Sequence, residues 1–253
     1  MRSLENSITL LGRKYSVERV FSDFVELAAL AISNSVDRQH FDTREERYLA
    51  LIRGYTRDEA NQFAHMLSDL TLGLEEALAV DGPRDLLGPL FMRLDIRSRS
   101  AGQFFTPFEI SKLMASMQVG DGNDIRKRGF VTVYEPACGA GGMVIAFANA
   151  LADAKLNYQQ SMHAVCRDID LRCVHMTYVQ LALLHVPACV IHGNGLTDEC
   201  RSIWATPAHV LGGWNAKLER KRNSGTVSPP DPSTRAARPT FRDRLRNFLK
   251  VKL

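Results

Sequence analysis

Apolar residues recur at three- and four-residue spacing through much of the first hundred positions, the period of one face of an α-helix. Val20, Phe21, Phe24, Leu27, Ala28 and Ala31 make one such stripe behind Ser16, whose hydroxyl is placed to cap the helix. A second helix is predicted through Glu45, Glu46, Arg47, Tyr48, Leu49, Ala50, Leu51 and Ile52. Thr56 and Glu59, three apart, form a capping-box pattern that opens a third helix through Phe63, Met66, Leu67 and Leu70. These stripes are expected to face a core; docking of a partner helix is the alternative use of such a surface.

After Ala101 the pattern changes to strands alternating with helices. Val131, Thr132, Val133 and Tyr134 read as a short strand ending at Glu135 and Pro136, followed by glycines and the apolar helix from Met143 to Ala148. His163 to Cys166 reads as a second strand ending at Asp168, Leu171 to Leu184 as its helix, and Ala188 to His192 as a third strand. This succession predicts an α/β fold with at least three parallel strands and right-handed crossovers, so a ligand is expected at the carboxyl ends of the strands.

From residue 223 to 239 the chain turns to Ser, Thr, Pro, Gly and Arg without hydrophobic period, the composition of a linker. Beyond it Phe241, Leu245, Phe248 and Leu249 share a helical face among Arg242, Arg244, Arg246, Lys250 and Lys252. Ten lysines and arginines against three acids give residues 219–253 a net +7, which leaves −3 for residues 1–218. A basic segment of this kind is compatible with phosphate contacts, docking on the protein or a membrane surface, docking being the default reading. Three regions are expected: a helical one over 1–100, a ligand-binding α/β domain over 101–218, and a basic linker with an amphipathic end over 219–253.

With 253 residues, 45% of them hydrophobic and 24% charged, the chain can bury a sizeable core. No run of 18 apolar residues occurs, and the N-terminus lacks the apolar core of a signal peptide, so a cytoplasmic protein is expected. Five cysteines, an odd number without regular spacing, fit a reducing compartment without disulfides.

The strongest local signal is Glu135, Pro136, Ala137, Cys138, Gly139, Ala140, Gly141 and Gly142, directly after a strand and opening a helix. Glycines there allow close backbone approach, and a helix N-terminus offers unpaired amides to an anion. A dinucleotide fingerprint fits poorly, because valine (Val144) stands where its last glycine belongs. Cys166, Cys173 and His175 lack paired ligand spacing, so no metal site is expected among the histidines and cysteines from His163 to Cys200. Trp204 and Trp214 suit packing over the sheet, the favoured reading, or stacking on a base.

The sequence resembles the adenine-N6 DNA methyltransferases, especially the modification subunit of type I restriction systems. The resemblance rests on three segments in order: Asp85, Leu86, Leu87, Gly88 with Gly102, Gln103, Phe104, Phe105, Thr106, Pro107; then Glu135 to Gly142; then Asp168 with Gly193, Asn194, Gly195, Leu196. It implies a partial Rossmann-like S-adenosylmethionine-dependent methyltransferase sheet, S-adenosylmethionine as cofactor, and DNA as partner, with other restriction-modification subunits or a complementing methyltransferase chain beside it. By that resemblance Thr106 binds the methionine carboxylate, Glu135 faces the methionine ammonium, and Gly139 and Gly141 admit the cofactor. Asp168 accepts the ribose hydroxyls, its bland role being the cap of the next helix. Asn194, where the family usually has aspartate, accepts from the adenine amino group. Phe105, Pro107, Pro136, Ala137, Cys138, Gly142 and Ile169 complete the implied cofactor set; Cys138 is not assigned as a nucleophile.

The family's Asn/Asp-Pro-Pro-Tyr/Phe motif, which holds the target amino group and stacks on a flipped base, is not found. The Pro229–Pro230 pair lies in the linker between Ser228 and Asp231, and Thr206, Pro207, Ala208, His209 lacks both amide and aromatic. No catalytic residue is therefore assigned. Two readings follow: a family member incomplete as an isolated catalyst, or a non-catalytic cofactor-sensing or DNA-associated protein. A truncated sheet is expected, its first strand shielded by the segment 203–218, the N-terminal helices or another subunit.

Overall fold

The computed structural model describes residues 1–96 and 104–224. Gly102 and Gln103, the proline-bearing segment and the basic amphipathic end lie outside the described residues.

Four helices open the chain: α1 (Arg2–Tyr15), α2 (Val17–Asn34), α3 (Phe41–Ile52) and α4 (Arg57–Asp81). Ser16 caps α2 as its hydroxyl accepts from the Arg19 amide, at a φ of 74° that a non-glycine residue rarely adopts. Both halves of the Thr56–Glu59 capping box form, and Glu59 also accepts from Lys14 and Tyr15. Val20, Phe21, Phe24, Leu27 and Ala28 are buried as the stripe requires, each large side chain worth about 1.5–3 kcal/mol of burial. Ala31, at the end of the stripe, is instead exposed.

Short helices α5 (Leu87–Arg93), α6 (Phe108–Val119) and α7 (Asn123–Arg128) lead to β1 (Val131–Glu135), α8 (Gly142–Asp153), α9 (Tyr158–Ser161), β2 (Met162–Asp168), α10 (Leu171–Leu183) and β3 (Ala188–His192). Then come β4 (Ser202–Ala205), α11 (Pro207–Leu211) and α12 (Trp214–Ser224). The strands lie in the order β1-β2-β3-β4; β1, β2 and β3 are parallel, while β4 runs antiparallel to β3. Thus α8 and α10 are the crossover helices, α6 packs on α8, and α2 packs on α10. One hydrophobic core runs from Leu4 in α1 through α8 and α10 to Val190 and Trp204. No helix of the described residues is long and apolar enough to cross a membrane, and the five cysteines form no disulfide.

β4 is not among the expected strands. The segment 203–218, expected as a shield for β1, instead supplies β4 beyond β3, because the chain reverses after Gly193 and pairs back on β3, while Trp214 toward its end returns to pack on Phe130 just before β1 without pairing with the strand. Nor do the N-terminal helices pair with β1; α2 packs on α10, and α1, α3 and α4 gather around α2. Among the described residues no strand pairs with the outer edge of β1. A cavity of about 520 Å³ runs along that edge, lined by Val119, Ile125, Val131, Val133 and Phe147 among others. Ile110, Leu113, Met114 and Met117, a one-sided apolar row on α6, are exposed nearby.

The opposite edge carries a side chain from α3. Arg44 on α3 donates to the carbonyl of Ile203 in β4 at 2.9 Å and lies over the Trp204 ring at 4.1 Å. The same guanidinium binds Ser33 and pairs with Asp37 at 2.6 Å, so this buried cation has its donors engaged. Trp204 and Trp214 are both buried, the first against His175 and Tyr178, the second against Phe130 and His163. Both therefore pack on the protein.

Candidate cofactor-binding site

The glycine-rich loop between β1 and α8 is stitched to the carboxyl end of β2. The Cys138 amide donates to the Arg167 carbonyl at 2.8 Å, and the Gly139 amide donates to Asp168 Oδ2 at 2.9 Å. Asp168 Oδ1 takes the Asp170 amide at 2.9 Å, and the Asp168 carbonyl takes the amide of Gly193 after β3. The helix-capping role open to Asp168 belongs to Asp170, whose carboxylate accepts from the Arg172 amide. Asp168 is thus held at the junction of three loops.

Glu135 accepts from the Ala137 amide at 3.2 Å and remains half-buried. Burial raises the pKa of Glu135, opposed by the Ala137 amide, and the charge of Asp168 raises it further. Burial likewise raises Asp168, while the amides of Asp170 and Gly139 pull it back. Two carboxylates beside one loop, each carrying lone pairs beyond those already engaged, make a site suited to a cationic ligand with hydroxyl groups. Cys138 is buried and its thiol is pushed far up by that burial, which removes it as a nucleophile at neutral pH.

Thr106, Phe105, Ala137, Gly139, Gly142 and Met143 line a cavity of about 90 Å³ against the loop, with Asp85 at its floor. That volume takes a small polar group; a nucleoside needs the open ground outside the strand ends, where Ile169 is exposed. Pro107 caps α6 one position before the first helical turn, and Pro136 is exposed on the loop. Asn194 spends its side-chain oxygen on the Leu196 amide at 2.9 Å, and Gly195 lies close against the Pro136 carbonyl. The structure therefore gathers Glu135 to Gly142, Asp168 and Asn194 at one end of the sheet, with Phe105 and Thr106 beside them.

The loop glycines have local reasons. A Cβ at Gly139, whose φ is 54°, would sit 2.9 Å from the Phe105 ring, and at Gly141, with φ 90°, 3.3 Å from Thr177. Both contacts are within the protein, so the glycines bring the loop onto its own supports.

Those supports come from α10. Thr177 donates to the Gly139 carbonyl at 2.8 Å, and Gln180 donates to the Ala140 carbonyl and to Asp85, both at 2.8 Å. Gln180 Oε1 in turn accepts from the amides of Leu86 and Leu87. Arg167, fully buried, donates to the carbonyls of Asn194 and Glu199 and pairs with Asp198 at 3.0 Å, fixing the loop after β3. None of Thr177, Gln180 and Arg167 belongs to a motif; polar residues on otherwise apolar elements are the signal they leave in the sequence.

A largely parallel sheet with a glycine-rich turn after its first strand and an acid at the end of its second defines a partial Rossmann-like methyltransferase fold. Residues 92–211 match the family model described as N-6 DNA methylase. The match spans α6 to α11 and contains the glycine-rich loop, Asp168 and Asn194, leaving Asp85 and the four N-terminal helices outside it. A search among curated proteins gave no match.

Proposed function

We propose that the chain is a DNA adenine-N6 methyltransferase-family protein of restriction-modification type that binds S-adenosylmethionine at the loop between β1 and α8. The observation that carries this is the convergence of Glu135 and Asp168 on one loop, within a stretch matched by the N-6 DNA methylase family. The donor set fits the cofactor: carboxylates for an ammonium and for ribose hydroxyls, and a small polar cavity at Thr106 for a carboxylate. When bound, S-adenosylmethionine supplies a methyl group on a positively charged sulfur. Glu135 orients the amino-acid end, Asp168 the ribose, and the α10 side chains keep the loop in its binding shape. Asn194, with its amide oxygen turned to Leu196, contacts adenine only after rotating.

As an isolated chain the protein lacks, among the described residues, a group to hold the target amine. Thr206 caps α11, bound to Val186 and Ala188 at the end of the sheet away from the loop, so that segment does not reach the site. DNA and a complementing chain are its proposed partners. This feature also favours the second reading, a cofactor-sensing or DNA-associated protein without catalysis. Purified protein incubated with tritiated S-adenosylmethionine and adenine-containing DNA, alone and with candidate partner subunits, separates the two. Transfer only with a partner supports the first reading, binding without transfer in any combination supports the second, and transfer by the chain alone refutes its incompleteness.

A further inference from the structure

At the end of the sheet away from the glycine-rich loop, three side chains from three separate elements meet in the interior. His163 comes from the start of β2, Cys189 from β3 and His209 from α11, which the reversal at β4 carries back over the sheet. All three are at most 3% exposed, and one donor atom of each lies within 4.8 Å of the others. His163 Nε2 is 2.8 Å from His209 Nδ1, and Cys189 Sγ is 3.6 Å from the same nitrogen. The other nitrogen of His209 meets the Asn215 side-chain oxygen at 2.7 Å, so it carries the proton and leaves Nδ1 with a lone pair turned inward. An outer hydrogen bond of this kind is what orients a metal-binding imidazole. His163 Nδ1 is buried and has no hydrogen-bond partner among the described residues.

We propose that His163 Nε2, Cys189 Sγ and His209 Nδ1 form a binding site for a single borderline divalent metal ion of the zinc class. With zinc–nitrogen bonds of about 2.0–2.1 Å and zinc–sulfur of about 2.3 Å, tetrahedral geometry sets neighbouring N and S ligands about 3.6 Å apart and two nitrogens about 3.3 Å apart. The Cys189 Sγ to His209 Nδ1 separation already has that value, and the two rings need to part by about 0.5 Å. On binding, the proton between the rings moves to His163 Nδ1 and the Cys189 thiol proton is released, so one proton leaves per ion bound. The ion would tie α11, and through Asn215 and the neighbouring Trp214 also α12, to the face of the sheet opposite the helical core. Motif spacing could not reveal such a site, because each element contributes one ligand.

The test is a cobalt titration of the full chain after treatment with chelator. The expected result is uptake of one equivalent with the visible bands of tetrahedral cobalt and a thiolate-to-cobalt charge-transfer band, both abolished by added zinc. Cys189→Ser should lose the charge-transfer band while Cys200→Ser keeps it, and His209→Gln should weaken uptake by roughly tenfold or more. A folded wild-type protein that takes up no cobalt, or a charge-transfer band that survives in Cys189→Ser, overturns the proposal and leaves a hydrogen-bonded imidazole pair. Should the variants not fold, the wild-type spectrum alone decides, since a band without thiolate character equally refutes the assigned ligand set.

Discussion

The backbone amide of Gly139 and the carboxylate of Asp168 lie 2.9 Å apart, so the loop after β1 and the end of β2 move as one piece. A side chain proposed to bind a cofactor thereby also shapes the loop beside it. Asp168→Ala should cost affinity for S-adenosylmethionine by about 1–3 kcal/mol, and Glu135→Ala by a similar amount. The two should differ in one respect: Asp168→Ala also loosens the unliganded loop, because Gly139 loses its acceptor. Calorimetry gives the affinities, and amide exchange at 137–141 in the free protein separates the effects. Wild-type protein that is folded and does not bind removes the cofactor assignment.

Asp85 supplies a pH signature. Burial pushes its carboxyl up to about 6 from 3.8, against the pull of Gln180 and the Gly88 amide. The folded chain keeps that proton where the unfolded chain has released it, so the stabilisation present below about 3.8 is lost as pH rises through about 6. At neutral pH the loss approaches about 3 kcal/mol. Asp85→Asn should therefore gain stability relative to wild type between about pH 4 and about pH 7.5, measured as the difference in urea midpoints. A difference that stays flat across that range would show Asp85 to be ionised like an exposed acid.

The buried histidines give the opposite slope. His163 and His209, neutral in the fold, must be protonated on unfolding below about 6.5, so stability present above that pH is lost as it falls toward 4. Each contributes about 1.4 kcal/mol per pH unit in that window. His209→Gln should flatten the acid limb of the stability curve while leaving the Asp85 limb in place.

The basic end beyond α12 should add DNA affinity without sequence preference. Removing residues 225–253 takes away seven lysines and arginines. Binding to duplex DNA should weaken, and the slope of log affinity against log salt should become shallower by roughly 0.9 for each phosphate that the shortened chain no longer neutralises. Binding curves that coincide at every salt concentration would assign that end to docking on the protein.

An open strand edge beside exposed methionines favours association. The full chain should form dimers as its concentration rises, and Thr132→Lys, which sets a charge at the exposed side of β1, should shift sedimentation toward the monomer. Equal sedimentation of the two proteins would show that β1 is covered in solution.

The legible parts of the fold are those written in local chemistry. Thr56 and Glu59 announce a capping box by spacing alone, and Val131 to Tyr134 announces a strand because β-branched residues run straight into a glycine turn. β4 is hidden because Ser202 to Ala205 is only four residues long and has no period to detect. At the site, Glu135 to Gly142 and Asp168 are visible as strand ends. Gln180, 95 residues from the Asp85 it holds, is not, since on α10 it reads as one more position of a buried helix. The contact of His163 with His209 is likewise illegible, because the two are 46 residues apart and meet through the reversal of the chain.

Arg44 has a further bearing through the carbonyl of Ile203. By occupying one margin of the sheet while the other stays unpaired among the described residues, it makes the two margins chemically unlike. A copy that added head to tail through its sheet would meet the Arg44 side chain where it needs the Ile203 carbonyl. A twofold pairing of like margins would instead join β1 to β1. The guanidinium that anchors α3 thus sets the two margins apart and leaves β1 as the one with backbone to offer a neighbour.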